Sequence, residues 1–345
     1  MLFRSRIAAQ LHDPSARTQF VVFTAVLGAG AIVVAWAGHV LWSLRRSVFE
    51  SRNLGRYRLL RRIGKGGMGE VWRAEDRALR REVALKIVSP EYGRHPSAIA
   101  RFEREIQATA EIAHPNVIRI HDWGVTDDGV WYYAMDLLHG VDLATLVRQT
   151  GPLPAALVAH LGSGVAGGLA EAHRRGVIHR DIKPGNLFVI APNREPERLD
   201  LLDFGIARVD ADSELTQAGA VVGTPGFMAP EVLAGAPGGI AADVYGLGAA
   251  LYFALTGSSP RDAKHVPPSA IVAGVPLALD DLIVRALDAE PSRRPTNADE
   301  MQTALAAITP WTASWPIDAG GMRAIPADAD VVPTADPSAP PTVAD

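Results

Sequence analysis

The sequence has no cysteine among its 345 residues. This absence excludes disulfide bonds, zinc sites made of thiolates and catalysis by a cysteine nucleophile, and it is compatible with a reducing compartment. Positive charge is not in excess either, since 34 lysines and arginines stand against 38 aspartates and glutamates. The net charge of −4 does not favour nucleic-acid binding, which usually needs a basic surface. We therefore expect no nucleic-acid partner.

Charged residues are also missing from one long stretch near the N-terminus. Residues 20–44, FVVFTAVLGAGAIVVAWAGHVLWSL, contain no Asp, Glu, Lys or Arg. A helix of this length spans roughly 37 Å, which exceeds the roughly 30 Å of a bilayer's hydrocarbon core. The alternatives are a buried core helix and a signal peptide cleaved near Ala35 to Ala37, but the apolar run continues past that site. The sequence predicts a transmembrane helix over 20–44, preceded by a short segment, 1–19.

Arginines are distributed unequally around this predicted helix. Seven arginines follow it within residues 45–62, whereas three precede it. Basic flanks of membrane helices face the cytoplasm. We therefore expect a basic juxtamembrane linker over 45–56, a single-pass protein of the inner membrane and a cytoplasmic body. The short N-terminal segment does not favour a receptor with an external sensor domain.

The rest of the chain divides into parts of different character. Residues 57–138 contain apolar segments typical of strands, with one helical pattern at Ile99, Phe102, Ile106 and Ala110. Residues 139–308 are dominated by longer helical patterns, such as LPAALVAHLGSGVAGGLAEAHRRG and DVYGLGAALYFALTG. Residues 309–345 are rich in Pro, Ala, Asp and Thr, so we expect a disordered tail.

A glycine cluster lies between the first two predicted strands. Gly64, Gly66 and Gly69 follow the pattern G-x-G-x-x-G within IGKGGMGEV. A dinucleotide-binding loop would be followed by a helix, whereas EVWRAED reads as a strand. The sequence also lacks the G-K-[ST] ending of a P-loop in this region. We therefore predict a hairpin that covers phosphate groups.

Four further motifs follow the glycine cluster. They are VALK at residues 83–86, HRDIKPGN at 179–186, DFG at 203–205 and GTPGFMAPE at 223–231. Each alone has a structural explanation, for example an exposed strand lysine at Lys86. Together, in this order and spacing, they resemble the eukaryotic-type (Hanks-type) serine/threonine protein kinases of bacterial membranes over residues 57–308. The resemblance implies an α+β, bilobal protein kinase fold, with a mostly β N-lobe at 57–138 and a mostly α C-lobe at 139–308.

The resemblance assigns roles to the polar motif residues. Asp181 would accept or orient the proton of the substrate hydroxyl, while Asn186 and Asp203 would hold Mg²⁺, with Mn²⁺ as an alternative. Lys183 would contact the γ-phosphate of ATP and Lys86 the α- and β-phosphates. A glutamate of the helix after VALKIV would pair with Lys86, with Glu105 as the first candidate and Glu103 as the second. His179 would be a buried structural residue.

The resemblance also implies an ATP site between the lobes. The phosphates would lie under the glycine cluster, Gly64, Lys65, Gly66, Gly67, Met68 and Gly69. The adenine would lie in a slot lined by Ile63, Val71, Ala84, Met135 and Phe188. Backbone groups of Asp136 and Leu138 would bind the edge of the base. Each of the apolar residues could equally be an ordinary core residue.

Smaller features separate the related enzyme classes. Lys183 and Thr224 resemble the serine/threonine branch, whereas small-molecule phosphotransferases of kinase-like fold generally lack APE at 229–231 and an aspartate like Asp243. Glu231 would form a structural pair with Arg294. A pseudokinase scaffold is a rival of another class, but such proteins typically lack Lys86, Asp181 or Asp203, and all three are present here.

Regulation is expected in the polar segment DADSELTQAGAVV, residues 210–222. An arginine beside the catalytic aspartate, here Arg180, is typical of kinases whose activation loop is ordered by a phosphate. Thr216 is the first candidate acceptor and Ser213 the second, with transfer between two copies of the chain in a homodimer at the membrane. The segment at 258–278 is short where the family usually has a further helix.

Overall fold

The computed structural model describes residues 53–66, 69–88, 96–126, 129–190, 198–204 and 225–308, with the backbone alone at 53 and 96–101. The predicted segments 1–19 and 20–44, most of the linker and the tail at 309–345 lie outside these residues. No helix within them is long and apolar enough to cross a membrane. The chain divides into two compact units, Met1–Leu59 and Leu60–Asp345. In the first unit, strand β1 (Asn53–Leu54) pairs with the start of strand β2 (Tyr57–Gly66).

The first part of the second unit is a β-sheet with one helix. After β2 come β3 (Gly69–Asp76), β4 (Arg81–Val88), helix α1 (Pro96–Ala110), β5 (Ile120–Val125) and β6 (Trp131–Met135). The strands lie in the order β2-β3-β4-β6-β5, and the pairs β3–β4, β4–β6 and β5–β6 are antiparallel. The strands and the helix predicted from the apolar patterns of residues 57–138 are therefore confirmed.

The central strand β4 carries Lys86 into a buried position. Val83, Ala84 and Leu85 are buried on both faces of the strand, as in a strand with neighbours on each side. The register places Lys86 opposite Val71 of β3 and Tyr133 of β6. A lysine ammonium at such a position needs an anionic partner, because its desolvation is costly otherwise.

The second part is mainly helical. It contains the three-stranded antiparallel sheet β7 (Gly140–Asp142), β8 (Leu187–Ile190) and β9 (Arg198–Leu201). Its helices are α2 (Leu143–Thr150), α3 (Ala155–Arg174), α4 (Pro230–Leu233), α5 (Ile240–Thr256), α6 (Leu277–Ala286) and α7 (Ala298–Ala306). Helix α3 is buried along most of its length and packs against α5, α7 and β9. Between α5 and α6 the chain forms one 3-10 turn, Pro268–Ala270, and no α-helix. This agrees with the short segment 258–278, in which the family's usual further helix was expected to be reduced.

Two of these helices begin at side-chain caps. The backbone N–H of Thr145 donates to Asp142 at the start of α2, and that of Glu300 donates to Asn297 at the start of α7. Such caps satisfy N–H groups that have no partner within the helix. Neither helix was predicted from the sequence, although an Asp and an Asn directly before helical segments were available as signals.

Gly140 is a position where the backbone conformation requires glycine. Its φ is +151°, and a Cβ atom there would lie 1.9 Å from the carbonyl oxygen of Val189 on β8. Because this distance is far below van der Waals contact, a side chain would push β7 away from β8. The strand pair that begins the helical part therefore depends on the absence of a side chain at Gly140.

We expect the substitution Gly140→Ala to lower the free energy of unfolding by about 1–3 kcal/mol, as overpacking usually does. Urea denaturation of the full chain, followed by circular dichroism, measures this change. Gly185→Ala is the matched control, because no atom lies within 4 Å of the added Cβ. An equal loss of stability in both variants would contradict the steric explanation.

Candidate functional site

The hairpin of β8 and β9 brings two oxygen-bearing side chains together. Asn186 directly precedes β8, and Asp203 follows β9 by two residues. The register pairs Leu187 with Leu201, and the N–H of Leu202 donates to the carbonyl oxygen of Asn186 at 3.0 Å. Asn186 and the residue before Asp203 therefore lie opposite each other at the open end of the hairpin.

A buried aspartate of α5 fixes the loop that precedes this hairpin. Asp243 is 1% exposed, and its two carboxylate oxygens accept the backbone N–H groups of His179 and Arg180, each at 2.8 Å. His173 Nε2 lies 2.9 Å from the same carboxylate. These bonds hold Arg180 at a φ of +62°, a conformation that is uncommon outside glycine. The backbone on which Asp181 is placed is thereby fixed.

His179 is a structural residue of the same loop. It is fully buried, and its ring packs on that of Phe204, with the centroids 4.6 Å apart. Burial lowers the pKa of His179, so its imidazole is neutral at pH 7. Nε2 lies 2.9 Å from the carbonyl oxygen of Leu202, and Nδ1 accepts the N–H of Asp181 at 3.3 Å. This pattern places the proton on Nε2.

The side chains of Asp181, Lys183 and Asn186 form one polar group. The Asn186 amide nitrogen donates to the backbone carbonyl and to Oδ2 of Asp181, at 2.8 and 2.9 Å. Lys183 Nζ lies 3.1 Å from the same Oδ2. Because the Asn186 nitrogen is used in this way, its amide oxygen is left to accept a hydrogen bond or a cation.

Asp203 is bound by two donors on one oxygen. Lys86 Nζ lies 2.6 Å from Asp203 Oδ1, and the Tyr133 hydroxyl donates to the same Oδ1 at 3.0 Å. Burial by itself raises the pKa of Asp203, but the charge and hydrogen bond of Lys86 and the hydrogen bond of Tyr133 lower it below the ordinary value. Burial, together with the charge of Asp203, raises the pKa of Tyr133 well above 10.0. At neutral pH the aspartate is ionised and the phenol is its donor.

The ion pairs of the site differ from the predicted ones at one point. Lys86 was predicted to pair with Glu105 or Glu103, but within the described residues its ion pair is with Asp203. Glu105 Oε1 lies 3.6 Å from Arg180 Nη1 instead. The reason is that the Asp203 carboxylate, at the end of the β8–β9 hairpin, lies next to the buried ammonium of Lys86. The half-exposed side chain of Arg180 lies next to Glu105 of α1.

The apolar residues predicted to line the adenine slot lie in one cluster. They are all buried and belong to the same hydrophobic core, namely Ile63, Val71, Ala84, Met135 and Phe188. After β6, the N–H of Asp136 donates to the carbonyl of Arg119 at 3.1 Å. The Asp136 carbonyl and the backbone groups of Leu138 have no hydrogen-bond partner among the described residues, so they are available to a base edge.

Several predicted site residues lie outside the described residues. They are Gly67 and Met68 of the glycine cluster, and Ser213, Thr216 and Thr224 of the segment after Asp203. The described residues of the cluster lie at the facing ends of β2 and β3, namely Gly64, Lys65, Gly66 and Gly69.

The Glu231–Arg294 pair predicted from the sequence is present. Arg294 Nη1 and Nη2 donate to the two carboxylate oxygens of Glu231, both at 2.7 Å. The Arg294 side chain is fully buried, and it also donates to the carbonyls of Ala241 and Asp288, at 2.9 and 2.8 Å. Burial raises the pKa of Glu231, but the bonds from Arg294 outweigh it and leave the pKa below the usual 4.5. The pair joins α4 to the start of α5 and to the segment after α6.

Comparison with known proteins agrees with this geometry. The family described as the protein kinase domain matches residues 57–306. Serine/threonine-protein kinase PknE of Mycobacterium bovis is 37% identical over 271 residues, 74% of this chain and 46% of that protein. Serine/threonine-protein kinase PknD of Mycobacterium tuberculosis is 38% identical over 264 residues, 72% of this chain and 39% of that protein. The crystal structure of the Mycobacterium tuberculosis PknI kinase domain matches with a TM-score of 0.61 and 29% identity, over 74% of this chain and 98% of that chain.

The chain belongs to the protein kinase domain family. It is a Hanks-type serine/threonine protein kinase, a class of phosphotransferases, related to the mycobacterial Pkn kinases. The predicted bilobal arrangement, a β N-lobe followed by a helical C-lobe, is confirmed. The chain spans about half the length, or less, of the curated relatives it matches.

We expect Glu231→Gln to lower the free energy of unfolding at pH 7 by about 3 kcal/mol, because it leaves the buried Arg294 without its anion. The pKa of Glu231 is lower in the folded protein than in the unfolded chain. Its contribution is therefore complete above the unfolded value and is lost as the pH falls through the folded value. The difference between wild type and variant should shrink on acidification below about pH 4.5.

Chemical denaturation at pH 7 and under progressively acidic conditions tests this expectation. Glu82→Gln is the control, since Glu82 pairs with Arg73 at the surface and such pairs contribute under about 1 kcal/mol. A Glu231→Gln penalty that matches the control, or that does not change with pH, would contradict the assignment.

Proposed function

We propose that this protein transfers the γ-phosphate of ATP to serine and threonine hydroxyls of proteins, including its own activation loop, while anchored in the membrane. The observation that supports this most is the grouping of Lys86, Asp181, Lys183, Asn186 and Asp203 around the end of one hairpin. Phosphoryl transfer needs positioning and charge neutralisation more than covalent catalysis, and this group supplies cations, a carboxylate base and oxygen ligands.

ATP is the nucleotide that fits the proposal. The buried apolar cluster takes the adenine. The Asp136 carbonyl and the backbone groups of Leu138, which have no hydrogen-bond partner among the described residues, bind the edge of the base. Lys86 leaves Asp203 to bind the α- and β-phosphates, and Lys183 binds the γ-phosphate.

The donor chemistry of the hairpin end fits Mg²⁺, with Mn²⁺ as an alternative. The amide oxygen of Asn186 and a carboxylate oxygen of Asp203 would hold it, since these hard cations prefer oxygen ligands. When bound, the ion would neutralise charge on the phosphates. The chain's own contribution is to keep the Asp181 carboxylate, fixed by Asn186 and Lys183, ready to take the proton of the substrate hydroxyl.

Regulation follows from the ion pair between Arg180 and Glu105. A phosphate on the activation loop, at Thr216 first and Ser213 second, would bind Arg180 more strongly than one carboxylate does. Glu105 would then be released to pair with Lys86. Transfer between two copies of the chain is favoured because confinement to a membrane raises the effective concentration.

The membrane anchor is proposed from residues 20–44, and the substrates from the family. The curated relatives are named serine/threonine-protein kinases, and this supports proteins as substrates. Alkaline carbonate extraction of membranes tests the anchor, because a protein held by a transmembrane helix stays in the pellet whereas a peripheral one is released.

We expect the full chain, in phospholipid vesicles with Mg²⁺ and labelled ATP, to incorporate phosphate on serine or threonine. Asp181→Asn should slow this reaction by about a hundredfold to ten-thousandfold, the usual contribution of a general base. Asp281→Asn, on the exposed side of α6, is the matched control and should retain the wild-type rate. Wild-type protein that binds ATP but phosphorylates neither itself nor generic substrates would support a scaffold instead.

We also expect peptide mass spectrometry to find the phosphate on Thr216, and Thr216→Ala to lower the transfer rate more than Ser213→Ala does. The reason is that only the phosphorylated loop would draw Arg180 away from Glu105. An active wild-type enzyme whose peptide containing Thr216 is entirely unmodified would contradict this assignment.

A further inference from the structure

Tyr133 places a phenol in the polar centre of the site. Its hydroxyl donates to Asp203 Oδ1 at 3.0 Å, although the residue itself is only 3% exposed and lies on the core strand β6. The motifs in the sequence gave no indication of this contact. It joins two residues that are 70 positions apart.

The strand register explains why Tyr133 and Lys86 reach the same oxygen. The two residues are directly opposite each other on β6 and β4, so their side chains lie on one face of the sheet. Lys86 Nζ is 5.7 Å from the centroid of the Tyr133 ring. Both groups bind Oδ1 of Asp203, and Oδ2 accepts no hydrogen bond from the described residues.

Aromatic packing fixes the Tyr133 ring. Its centroid lies 6.5 Å from that of Phe102 on α1, and Phe102 makes an edge contact with Trp131, with the centroids 5.1 Å apart. An apolar ring would satisfy these contacts equally well. The hydroxyl is thus the part of Tyr133 that packing does not require, and among the described residues it donates to the carboxylate of Asp203.

The hydroxyl matters most when Lys86 moves. If Lys86 turns to the phosphates of a nucleotide, the Asp203 carboxylate loses one of the two donors that the described residues supply and keeps Tyr133. The hydrogen bond from Tyr133 to Oδ1 still limits rotation of the carboxylate and leaves Oδ2 free of the tyrosine.

We propose that Tyr133 is a positioning residue that holds Oδ1 of Asp203 so that Oδ2 remains available to the divalent cation. This inference rests on the proposed function, in which Asp203 is a ligand of Mg²⁺. Tyr133 acts through Asp203, to which its hydroxyl donates. Loss of an outer partner of a metal ligand typically weakens metal binding by about tenfold to a hundredfold.

The test measures binding of a non-hydrolysable ATP analogue to the full chain by calorimetry, during titration with Mg²⁺ and separately in EDTA. Tyr133→Phe removes only the hydroxyl, and we expect the Mg²⁺ concentration for half-maximal enhancement to rise at least about tenfold. Affinity in EDTA should be unchanged, and excess Mg²⁺ should restore the wild-type affinity. Tyr132→Phe is the matched control, because neighbouring residues of a strand point to opposite faces, and its Mg²⁺ dependence should equal that of wild type.

A second comparison separates a positioning role from a merely structural one. In an Asp203→Asn background, Tyr133→Phe should cause no further change in Mg²⁺ dependence, as expected for residues that act through one contact. Should the phenylalanine variant fail to fold, Tyr133→Met fills the same space with an apolar side chain and must give the same shift.

An unchanged Mg²⁺ dependence in the variant would overturn the inference alone. An equal loss of affinity with Mg²⁺ and in EDTA would also overturn it, because it would indicate general damage to the pocket. A wild-type protein whose nucleotide binding does not respond to Mg²⁺ would overturn the proposed function and the inference together.

Discussion

The buried carboxylate of Asp243 is the constraint on which the site depends. A buried charge is tolerated only when it is fully hydrogen-bonded, and Asp243 achieves this with the backbone N–H groups of His179 and Arg180 and with the ring of His173. The same bonds fix the loop in front of β8. Asp181, Lys183 and Asn186 follow Arg180 within six residues, so the fixed loop also determines their positions. The register of the β8–β9 hairpin places Asp203 beside them.

Each of three cations of the site lies beside a carboxylate of the chain. Lys86 is matched by Asp203, Lys183 by Asp181 and Arg180 by Glu105. Each of these cations is one that the proposed reaction would offer to a phosphate group. When a nucleotide or a phosphorylated loop binds, each cation therefore exchanges a carboxylate for a phosphate. The difference in free energy between the carboxylate-paired and the phosphate-paired site is smaller than the energy of the individual ion pairs suggests.

Much of the fold could be predicted from the sequence, because apolar periodicity over β2 to β6 and over α3 and α5 is strong. The motif order identified the hairpin and the polar group around Asp181. The partner of Lys86 could not be predicted, since it depends on which carboxylate is nearer to a buried ammonium in three dimensions. Tyr133 was missed for a related reason: a tyrosine within WYYAM reads as core until the distance from its hydroxyl to Asp203 is known. The transmembrane helix at 20–44 stays a prediction.

Arg294 has a consequence for the order in which the domain can be completed during synthesis. Its guanidinium closes contacts with Glu231, which lies 63 residues earlier, and with carbonyls at both ends of the intervening helices. At about 5–20 residues per second, a ribosome needs several seconds to make that interval. Throughout this time the Glu231 carboxylate of α4 and the Ala241 carbonyl of α5 lack the hydrogen bonds that Arg294 donates in the folded protein. The packing of α4 against the start of α5 is therefore completed only after Arg294 has been synthesised, and not in order from the N-terminus.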